Sequence, residues 1–386
     1  FLATLSGLVA AIFIALVTEY YTSTERPPVR NIASASETGA ATNIISGLAL
    51  KQPAFLLHGV PTLKILVTGI TGFAGSHLAQ YLISTKNSVA GLSLSASLEE
   101  FSQLFEKKTP TVHQCDLADT IKLTSLLKEE KPDAVIHLAA HSQAAGAWKK
   151  AAEILETNIV GTQNLMRAVF EAAPGARILL VSSGEVYGSV SPEEMPLRED
   201  SKLMPNNPYA VSKLAQEYVC LQYHEAFATE VVIARPFNHL GPRQTGDFVV
   251  PSFARQIAEI EAGLREPVLL VGNLDSERDF TDVRDTVKAY LVALTKGEPG
   301  EIYNVASGNP VRIREVLDIL LELSRVRPEV KNNPELMRPS DTPVIYGDSS
   351  KLRSLAQWQP EITLEQSLLD TLNYWRTRVA ARVSNA

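Results

Sequence analysis

The sequence predicts an α/β fold: a doubly wound parallel sheet, a smaller mixed C-terminal domain that binds substrate, and a hydrophobic helix that precedes both. From residue 62, apolar strands alternate with stretches of helical length, a glycine-rich turn follows the first strand, and an uncharged apolar run opens the chain. Regular strand–helix alternation is typical of a parallel sheet covered by helices on both faces. The predicted strands are TLKILVTG, NSVAGL, TVHQCDL, DAVIHLAA, ARILLVSS and EVVIARP.

Length and composition are those of a globular α/β protein. The chain has 386 residues, of which 45% are hydrophobic and 20% charged, which suits one or two domains and an appendage. A net charge of -7 does not favour nucleic acid or an anionic membrane surface as a partner. Cys115 and Cys220 form neither a metal-binding spacing nor a disulfide framework, so a reducing, cytoplasmic location is expected for the catalytic part.

The first fifty residues differ from the rest of the chain. Residues 1–17 are uncharged and apolar, at the short end of what spans a bilayer, and they predict a hydrophobic helix and membrane association. The polar stretch that follows resembles one segment of membrane-embedded, ion-pumping pyrophosphatases. The matching positions are Thr18–Thr22, Pro28–Val29 and Ala41–Ile45.

This N-terminal part is not predicted to pump ions. Such pumps hold magnesium pyrophosphate with clustered aspartates, and residues 1–50 contain no Asp. We interpret residues 1–50 as a remnant or a fusion, with a simple membrane anchor as the alternative. Residues 51–61 are predicted to be a linker, so the chemistry is expected downstream.

The first predicted strand ends in a glycine-rich turn, Gly69–Gly75, that leads directly into a predicted helix. Such a turn offers backbone N–H groups and the positive end of a helix dipole to a pyrophosphate. The motif predicts a Rossmann-type dinucleotide-binding domain over residues 62–235. Residues 236–386 are expected to form mainly the substrate domain, with some segments returning to the sheet. The turn residues expected to contact the cofactor are Gly69, Thr71, Gly72, Phe73, Ala74 and Gly75.

The usual signals that distinguish NAD from NADP are missing. The second strand ends in Gly91–Ala96, with neither an acid to accept a hydrogen bond from the adenosine ribose nor an arginine to hold a 2′-phosphate. The sequence therefore predicts NADP or NAD and does not distinguish between them. Asp116, after the third strand, is predicted either to accept a hydrogen bond from the adenine amine or to cap the helix that follows.

A tyrosine and a lysine four residues apart, Tyr209 and Lys213, lie on one face of a predicted helix. A neighbouring ammonium is expected to lower the pKa of the phenol, so that Tyr209 passes a proton near neutral pH. Ser183, at the end of the fifth strand, is predicted to hold the substrate oxygen, and Lys213 to bind the nicotinamide ribose. Glu185 is either a catalytic base or a buried structural carboxylate.

Together, these motifs resemble the extended short-chain dehydrogenase/reductase family. The residues that carry the resemblance are Gly69–Gly75, His137–Ala140, Asn158, Ser183, Tyr209 and Lys213. The similarity runs from about residue 62 to the C-terminus. It implies a homodimeric enzyme that acts on a nucleotide sugar with bound NADP or NAD. Further cofactor contacts that it implies come from Asp116, Leu117, Leu138, Ala139 and Ala140.

The C-terminal half indicates a GDP-sugar substrate. Asn238, which precedes His239, matches a family residue that contacts the diphosphate, and Arg278 matches an arginine that faces the nucleotide. Arg338 and Asp341 resemble the Arg-Pro-Ser/Thr-Glu element with which GDP-mannose enzymes hold GDP, although the Asp is one methylene shorter than the usual Glu. Arginine forks and amide donors suit a diphosphate.

Two reactions share this GDP-sugar scaffold, and the sequence favours the reductase. A 4,6-dehydratase abstracts the C5 proton with a carboxylate, whereas a reductase delivers a hydride to C4 of the 4-keto sugar. Glu185 occupies the position of the dehydratase base, but reductase relatives also retain a glutamate there. The stretches RDFTDVRD and RPFNHLGPRQ resemble the reductase, and Gly184 has no side chain to protonate a leaving group.

The predicted reaction is therefore reduction of GDP-4-dehydro-6-deoxy-D-mannose to GDP-6-deoxy-D-mannose (GDP-rhamnose). A GDP-mannose 4,6-dehydratase, or another nucleotide-sugar epimerase or dehydratase, is the alternative. A second alternative is a membrane-tethered protein that binds a nucleotide sugar without turning it over, although Ser183, Tyr209 and Lys213 are all present.

Overall fold

The computed structural model describes residues 62–95, 98–106, 109–142, 147–336 and 342–384. Its strands are β1 Lys64–Thr68, β2 Ser88–Ser93, β3 Thr111–Gln114, β4 Ala134–His137, β5 Arg177–Val181, β6 Val231–Pro236, β7 Asn238–Leu240, β8 Val268–Val271, β9 Glu277–Asp282, β10 Ile302–Val305, β11 Pro310–Arg312, β12 Glu329–Asn332 and β13 Val344–Ile345. Its helices are α1 Phe73–Ser84, α2 Glu99–Ser102, α3 Thr120–Glu130, α4 Ala151–Leu155, α5 Gly161–Ala172, α6 Pro208–Phe227, α7 Val249–Glu261, α8 Val283–Lys296, α9 Ile313–Leu323, α10 Ser350–Ala356 and α11 Leu364–Ser384. A π-helical turn, Glu156–Val160, joins α4 to α5.

A seven-stranded parallel sheet forms the centre of the described fold, in the order β10-β6-β5-β4-β1-β2-β3. Each of the six predicted strands is present in it, which confirms the doubly wound, Rossmann-type sheet. The strand order reverses beside β1, whose neighbours are β2 and β4. Ligands of such sheets bind at the carboxyl ends of the strands near this switch point.

Both faces of the sheet are covered by helices because its strands are apolar on both sides. In β1, Ile65 and Val67 belong to one core and Leu66 to the other, as the two-residue period of a strand requires. The first core contains side chains of α1 and α8, and the second contains side chains of α3, α5 and α6. The side-chain pattern of one strand therefore accounts for both layers.

A second, smaller assembly comes from the C-terminal half. One small sheet pairs β9 with β7, β11 and β13, and a separate pair joins β8 to β12. Helices α7, α9 and α11 contribute to its apolar core, in which Trp375 and Leu372 are buried. Strand β10, also from this half, forms the edge of the large sheet beside β6.

The predicted N-terminal helix over residues 1–17 lies outside the described residues, as do the polar segment to residue 50 and the linker. The predicted membrane association and cytoplasmic location therefore stay predictions. Within the ranges described above, every helix is too short or too polar to cross a bilayer.

Candidate active site

The glycine-rich turn joins β1 to α1 in a geometry that requires glycine at two positions. Gly69 has φ +70°, in the left-handed region, and a Cβ there would lie 3.0 Å from backbone atoms of Ala139. A Cβ at Gly75 would lie only 2.2 Å from the carbonyl oxygen of Gly69. The first turn of α1 therefore packs directly on the end of β1, and the helix N-terminus lies at the carboxyl edge of the sheet.

The start of α1 fits the pyrophosphate of a dinucleotide. Gly72 precedes the helix without a side-chain cap, and the first turn has no acidic residue. Apart from its chain neighbours, a Cβ at Gly72 would meet only the carbonyl oxygen of Gly69, at 3.2 Å. Because the first N–H groups of a helix lack intrahelical acceptors and carry partial positive charge, they can receive the phosphate oxygens here.

The end of β2 is polar but uncharged. Ser93 Oγ lies 2.8 Å from Thr71 Oγ1, so the predicted cofactor residue Thr71 joins the glycine-rich turn to the end of the neighbouring strand. Ser93 Oγ also accepts a hydrogen bond from the N–H of Ser95, at 3.1 Å. Residues 96–97 lie outside the described residues, and the choice between NAD and NADP stays open.

Asp116 does not cap the following helix, contrary to one of its two predicted roles. Its carboxylate accepts a hydrogen bond from the N–H of Ala118, at 2.9 Å, and so closes a local turn. The cap of α3 is Asp119, which accepts from the N–H of Lys122 at 3.0 Å. The adenine contact of Asp116 stays a prediction, and the neighbouring Leu117 is buried.

The segment after β4 is held by a buried polar chain. His137 lies between the hydroxyls of Thr68, at 2.7 Å, and Thr162, at 2.9 Å. Burial and the nearby Lys213 ammonium lower the pKa of His137 to about 3, so the ring is neutral at physiological pH. Thr68 Oγ1 in turn accepts from the N–H of Ala139, at 3.1 Å. This chain fixes the backbone where Leu138, Ala139 and Ala140 are predicted to line the cofactor.

Asn158 joins the same segment to the helix that carries the predicted catalytic pair. Its Oδ1 accepts from the N–H of His141 at 2.8 Å, and its Nδ2 donates to Ser212 Oγ at 2.8 Å. The residue is fully buried. Asn158 therefore binds both the loop after β4 and α6.

Ser183 and Glu185 lie just beyond the end of β5, as predicted. Ser183 is buried, and its Oγ accepts from the N–H of Glu185 at 3.1 Å. The carboxylate of Glu185 is partly exposed and accepts from Asn207 Nδ2 at 3.1 Å. The two predicted roles of Glu185, a catalytic base or a structural carboxylate, both stay predictions.

Tyr209 meets Ser183 at this edge of the sheet. The Ser183 hydroxyl lies close enough to the phenol to lower its pKa, and the Tyr209 ring packs against Ala147 and Ile154. Burial raises the pKa of Tyr209, the Glu185 carboxylate raises it further, and the nearby Ser183 hydroxyl opposes both effects. The predicted lowering of this pKa by Lys213 is therefore wrong for the described structure, because burial dominates.

Lys213 lies one helical turn below Tyr209 but is directed at the backbone. Its Nζ donates to the carbonyl oxygen of Val181 at 2.9 Å and lies 6.0 Å from the centre of the Tyr209 ring. Burial lowers the pKa of Lys213 to about 8, although Glu217 and Cys220 raise it. Its contact with the nicotinamide ribose stays a prediction.

The predicted substrate residues lie on the small sheet. Asn238 is exposed and starts β7, which pairs with β9, the strand of Arg278. The guanidinium of Arg278 donates to the carbonyl oxygen of Glu277 at 2.8 Å. His239 stacks on Phe73 of the glycine-rich turn with ring centres 5.7 Å apart, so the start of the small sheet contacts that turn. Arg338 and Asp341 lie outside the described residues.

Sequence reasoning missed Asn207, which organises this site from the N-terminus of α6. Its Oδ1 caps the helix by accepting from the N–H of Ala210 at 2.9 Å, while its Nδ2 holds Glu185. The signal was present: an Asn directly before a Pro that opens a helical stretch is a typical N-cap. Its contact with Glu185 depends on the tertiary structure.

Comparison with known proteins places the chain in a family. Residues 66–371 match the model of the GDP-mannose 4,6 dehydratase family. The GDP-6-deoxy-D-mannose reductase of Pseudomonas aeruginosa is 40% identical over 318 residues, which cover 82% of this chain and 99% of the relative. The GDP-mannose 4,6-dehydratase of Yersinia enterocolitica is 30% identical over 342 residues, which cover 78% and 91%.

A solved structure agrees with these sequence matches. The structure of RMD from Pseudomonas aeruginosa complexed with NADPH superimposes with a TM-score of 0.72 at 39% identity, and covers 82% of this chain and 100% of the other.

The N-terminal resemblance is also found. Residues 1–95 match the model of the inorganic H+ pyrophosphatase family, which overlaps the dehydratase match at residues 66–95. The described residues of that overlap form β1, α1 and β2 of the dinucleotide-binding sheet.

The match over residues 66–371 and the relatives named above show that the chain belongs to the GDP-mannose 4,6-dehydratase family, among the NAD(P)-dependent nucleotide-sugar oxidoreductases of the extended short-chain dehydrogenase/reductase class.

Proposed function

We propose that this chain reduces GDP-4-dehydro-6-deoxy-D-mannose at C4 with hydride from NAD(P)H and so forms GDP-6-deoxy-D-mannose. The observation that carries the proposal is the meeting of Ser183 and Tyr209 at the carboxyl edge of the sheet, beside a turn suited to a dinucleotide. The greater identity to the reductase than to the dehydratase supports the choice of reaction, at 40% against 30%.

The chain's own residues supply the proton and orient the sugar. Bound NAD(P)H supplies the hydride that reaches C4. Because the hydroxyls of Ser183 and Tyr209 lie near each other, both can bind one carbonyl oxygen; Tyr209 donates its proton to that oxygen and Ser183 stabilises the developing charge. The raised pKa of Tyr209 keeps the phenol protonated, which is the form that a proton donor needs. The positive charge of the Lys213 ammonium stabilises the phenolate that forms, and a replacement proton from solvent restores the phenol.

The proposed reaction is tested with the whole chain and two substrates. GDP-4-dehydro-6-deoxy-D-mannose with NADPH or NADH should give a product that has gained two hydrogens, with one cofactor oxidised per sugar. GDP-mannose alone should stay unchanged. Conversion of GDP-mannose to its 4-keto-6-deoxy derivative, with release of the C5 proton, would indicate the dehydratase instead. Cofactor binding without turnover of either sugar would indicate the inactive binding protein.

Arg278 is proposed to bind the GDP part of the substrate. Replacing it with Ala should raise the calorimetric Kd for GDP by about 10- to 100-fold, because a charge-assisted hydrogen bond contributes about 1.5–3 kcal/mol. Lys at this position should restore only part of the affinity, since an ammonium lacks the planar fork. Arg312→Ala is the control: Arg312 lies on the adjacent β11 with a half-exposed side chain. Equal losses in both variants would contradict the assignment.

We also propose that two copies of the chain associate through α5 and α6. Tyr218 is 62% exposed, Val211 on the same helix is 43% exposed, and their seven-residue spacing places them on one face. At the C-terminal end of α6, Phe170 of α5 contacts the exposed Phe227, with ring centres 4.6 Å apart. Exposed apolar side chains on adjacent helices are typical of a partner surface.

A single charge should disrupt this proposed dimer. Tyr218→Asp should halve the mass measured by sedimentation, because the interface would have to bury an unpaired carboxylate. Leu264→Asp replaces another exposed apolar side chain, 57% exposed in the loop after α7, and should leave the mass unchanged. A wild-type chain that sediments as a monomer would refute the dimer.

A further inference from the structure

Helix α6 binds the end of β5 through three residues spaced one helical turn apart. Each of them contacts one of three consecutive residues of the strand end. The pairs are Tyr209 with Ser183, Lys213 with Val181, and Glu217 with Ser182. The first two pairs belong to the active site described above, whereas the third has no role in the proposed chemistry.

Glu217 is held in a buried ion pair. Its Oε2 accepts from Arg235 Nη2 at 2.7 Å, and its Oε1 accepts from Arg235 Nε at 2.9 Å and from the hydroxyl of Ser182. The side chains of Glu217 and Arg235 are each only 2% exposed. Burying two charges is costly unless nearly every polar atom is paired, so this geometry is tightly constrained.

The ion pair also reaches the turn that carries Glu185. Arg235 Nη1 donates to the hydroxyl of Tyr187 at 3.1 Å, and that hydroxyl donates to Asn304 Oδ1 at 2.7 Å. Tyr187 ends the short turn that begins beside Ser183. The segment containing Ser183 and Glu185 is therefore anchored on both sides by groups bound to the same arginine–carboxylate pair.

We infer that Glu217 is a positioning residue of the active site, which binds Ser182 and Arg235 and thereby holds the strand end carrying Ser183 against the helix carrying Tyr209 and Lys213. This inference rests on the proposed function and extends it to a residue that touches neither sugar nor cofactor. A displacement of about 1 Å between reacting groups can cost about 100-fold in rate, so the anchor acts on turnover and not on substrate affinity.

The same placement gives Glu217 an electrostatic effect on Lys213. The groups around the Lys213 ammonium are Tyr209, Glu217 and Cys220 on its own helix, His137 on β4 and the carbonyl of Val181 on β5. His137 is neutral. Burial lowers the pKa of Lys213, whereas the Glu217 carboxylate raises it. With the pKa at about 8, Lys213 is charged below that pH and loses its charge above it.

The test is the pH profile of kcat for Glu217→Gln. Turnover that needs the ammonium falls as the pH rises through the Lys213 pKa, so the wild-type profile should have a basic limb near pH 8. Loss of the carboxylate should move that limb down by about one pH unit. Glu225→Gln, the same substitution at an exposed position of α6, should leave it in place. A lowered melting temperature with an unmoved limb would mean a merely structural role and would overturn the inference.

Ser182→Ala tests the anchor without removing the ion pair. It deletes only the hydroxyl that donates a hydrogen bond to Glu217, so the protein should fold even if Glu217→Gln does not. We expect kcat to fall roughly tenfold, with the KM of the GDP-sugar and the position of the basic limb unchanged. A wild-type kcat in Ser182→Ala would overturn the inference. If the wild-type chain does not reduce the sugar, the proposed function fails by itself. The inference is then tested by the pH dependence of NADPH binding, which in Glu217→Gln should move down by the same one pH unit.

Discussion

Phe in place of Tyr209 is expected to lower kcat for reduction of the 4-keto sugar by about 100- to 10,000-fold, the usual contribution of a positioned proton donor. The substitution removes only the hydroxyl that meets Ser183, whereas the ring keeps its packing against Ala147 and Ile154. The Kd values for GDP and NADPH should therefore stay near those of the wild-type chain. Single-turnover oxidation of NADPH and calorimetry measure the two quantities separately.

The matched control is Tyr218→Phe, which deletes a hydroxyl from the same helix and keeps the ring that the proposed dimer surface needs. It should keep the wild-type kcat. Turnover by Tyr209→Phe at the control's rate would show that another group supplies the proton. A loss of NADPH affinity as large as the loss of kcat would show that the hydroxyl serves binding instead.

Ala in place of Gly75 is expected to damage both the fold and the cofactor site. Its Cβ would lie 2.2 Å from the carbonyl oxygen of Gly69 and 2.8 Å from that of Ile70, and neither backbone atom can rotate away. The start of α1 must therefore move off β1, which should cost about 1–3 kcal/mol of unfolding free energy. NADPH should bind roughly tenfold or more weakly, because the helix N-terminus loses its alignment with the cleft. Denaturant unfolding and calorimetry measure both effects.

Gly72→Ala separates the effect of an added methyl group on cofactor binding from its effect on stability. Gly72 has φ -70°, which any residue adopts, and its Cβ would meet only one atom outside its chain neighbours, at 3.2 Å. The free energy of unfolding should stay near the wild-type value, while NADPH binds more weakly because the methyl projects into the space before α1. Wild-type NADPH affinity in both glycine variants would contradict the assignment of the glycine-rich turn as the pyrophosphate site.

Some predicted features depended only on local pattern, and these agree with the structure. The strands of the large sheet were visible as apolar runs, since both of their faces are buried. The glycine-rich turn was visible because Gly69 and Gly75 meet steric limits that any other side chain would violate. The helix of Tyr209 and Lys213 was visible from its spacing.

Features that depended on direction and burial were mispredicted or missed. The four-residue spacing placed Lys213 beside Tyr209 but could not show that its ammonium is directed at the carbonyl oxygen of Val181. Nor could it show that burial raises the pKa of the phenol. Asp116 and Asp119 both precede α3, and only the backbone geometry distinguished the local turn from the cap.

The sequence by itself determined the fold class, the family and the residue types that meet at the end of β5, because these follow from hydrophobic periodicity, glycine positions and motif spacing. Only the tertiary structure joined Glu217 to Ser182 and Arg235. Those three residues come from a helix and from the ends of two strands, and each polar group gains its partner only when burial removes it from water. Such pairings depend on the whole packed core, which no local pattern of the chain records.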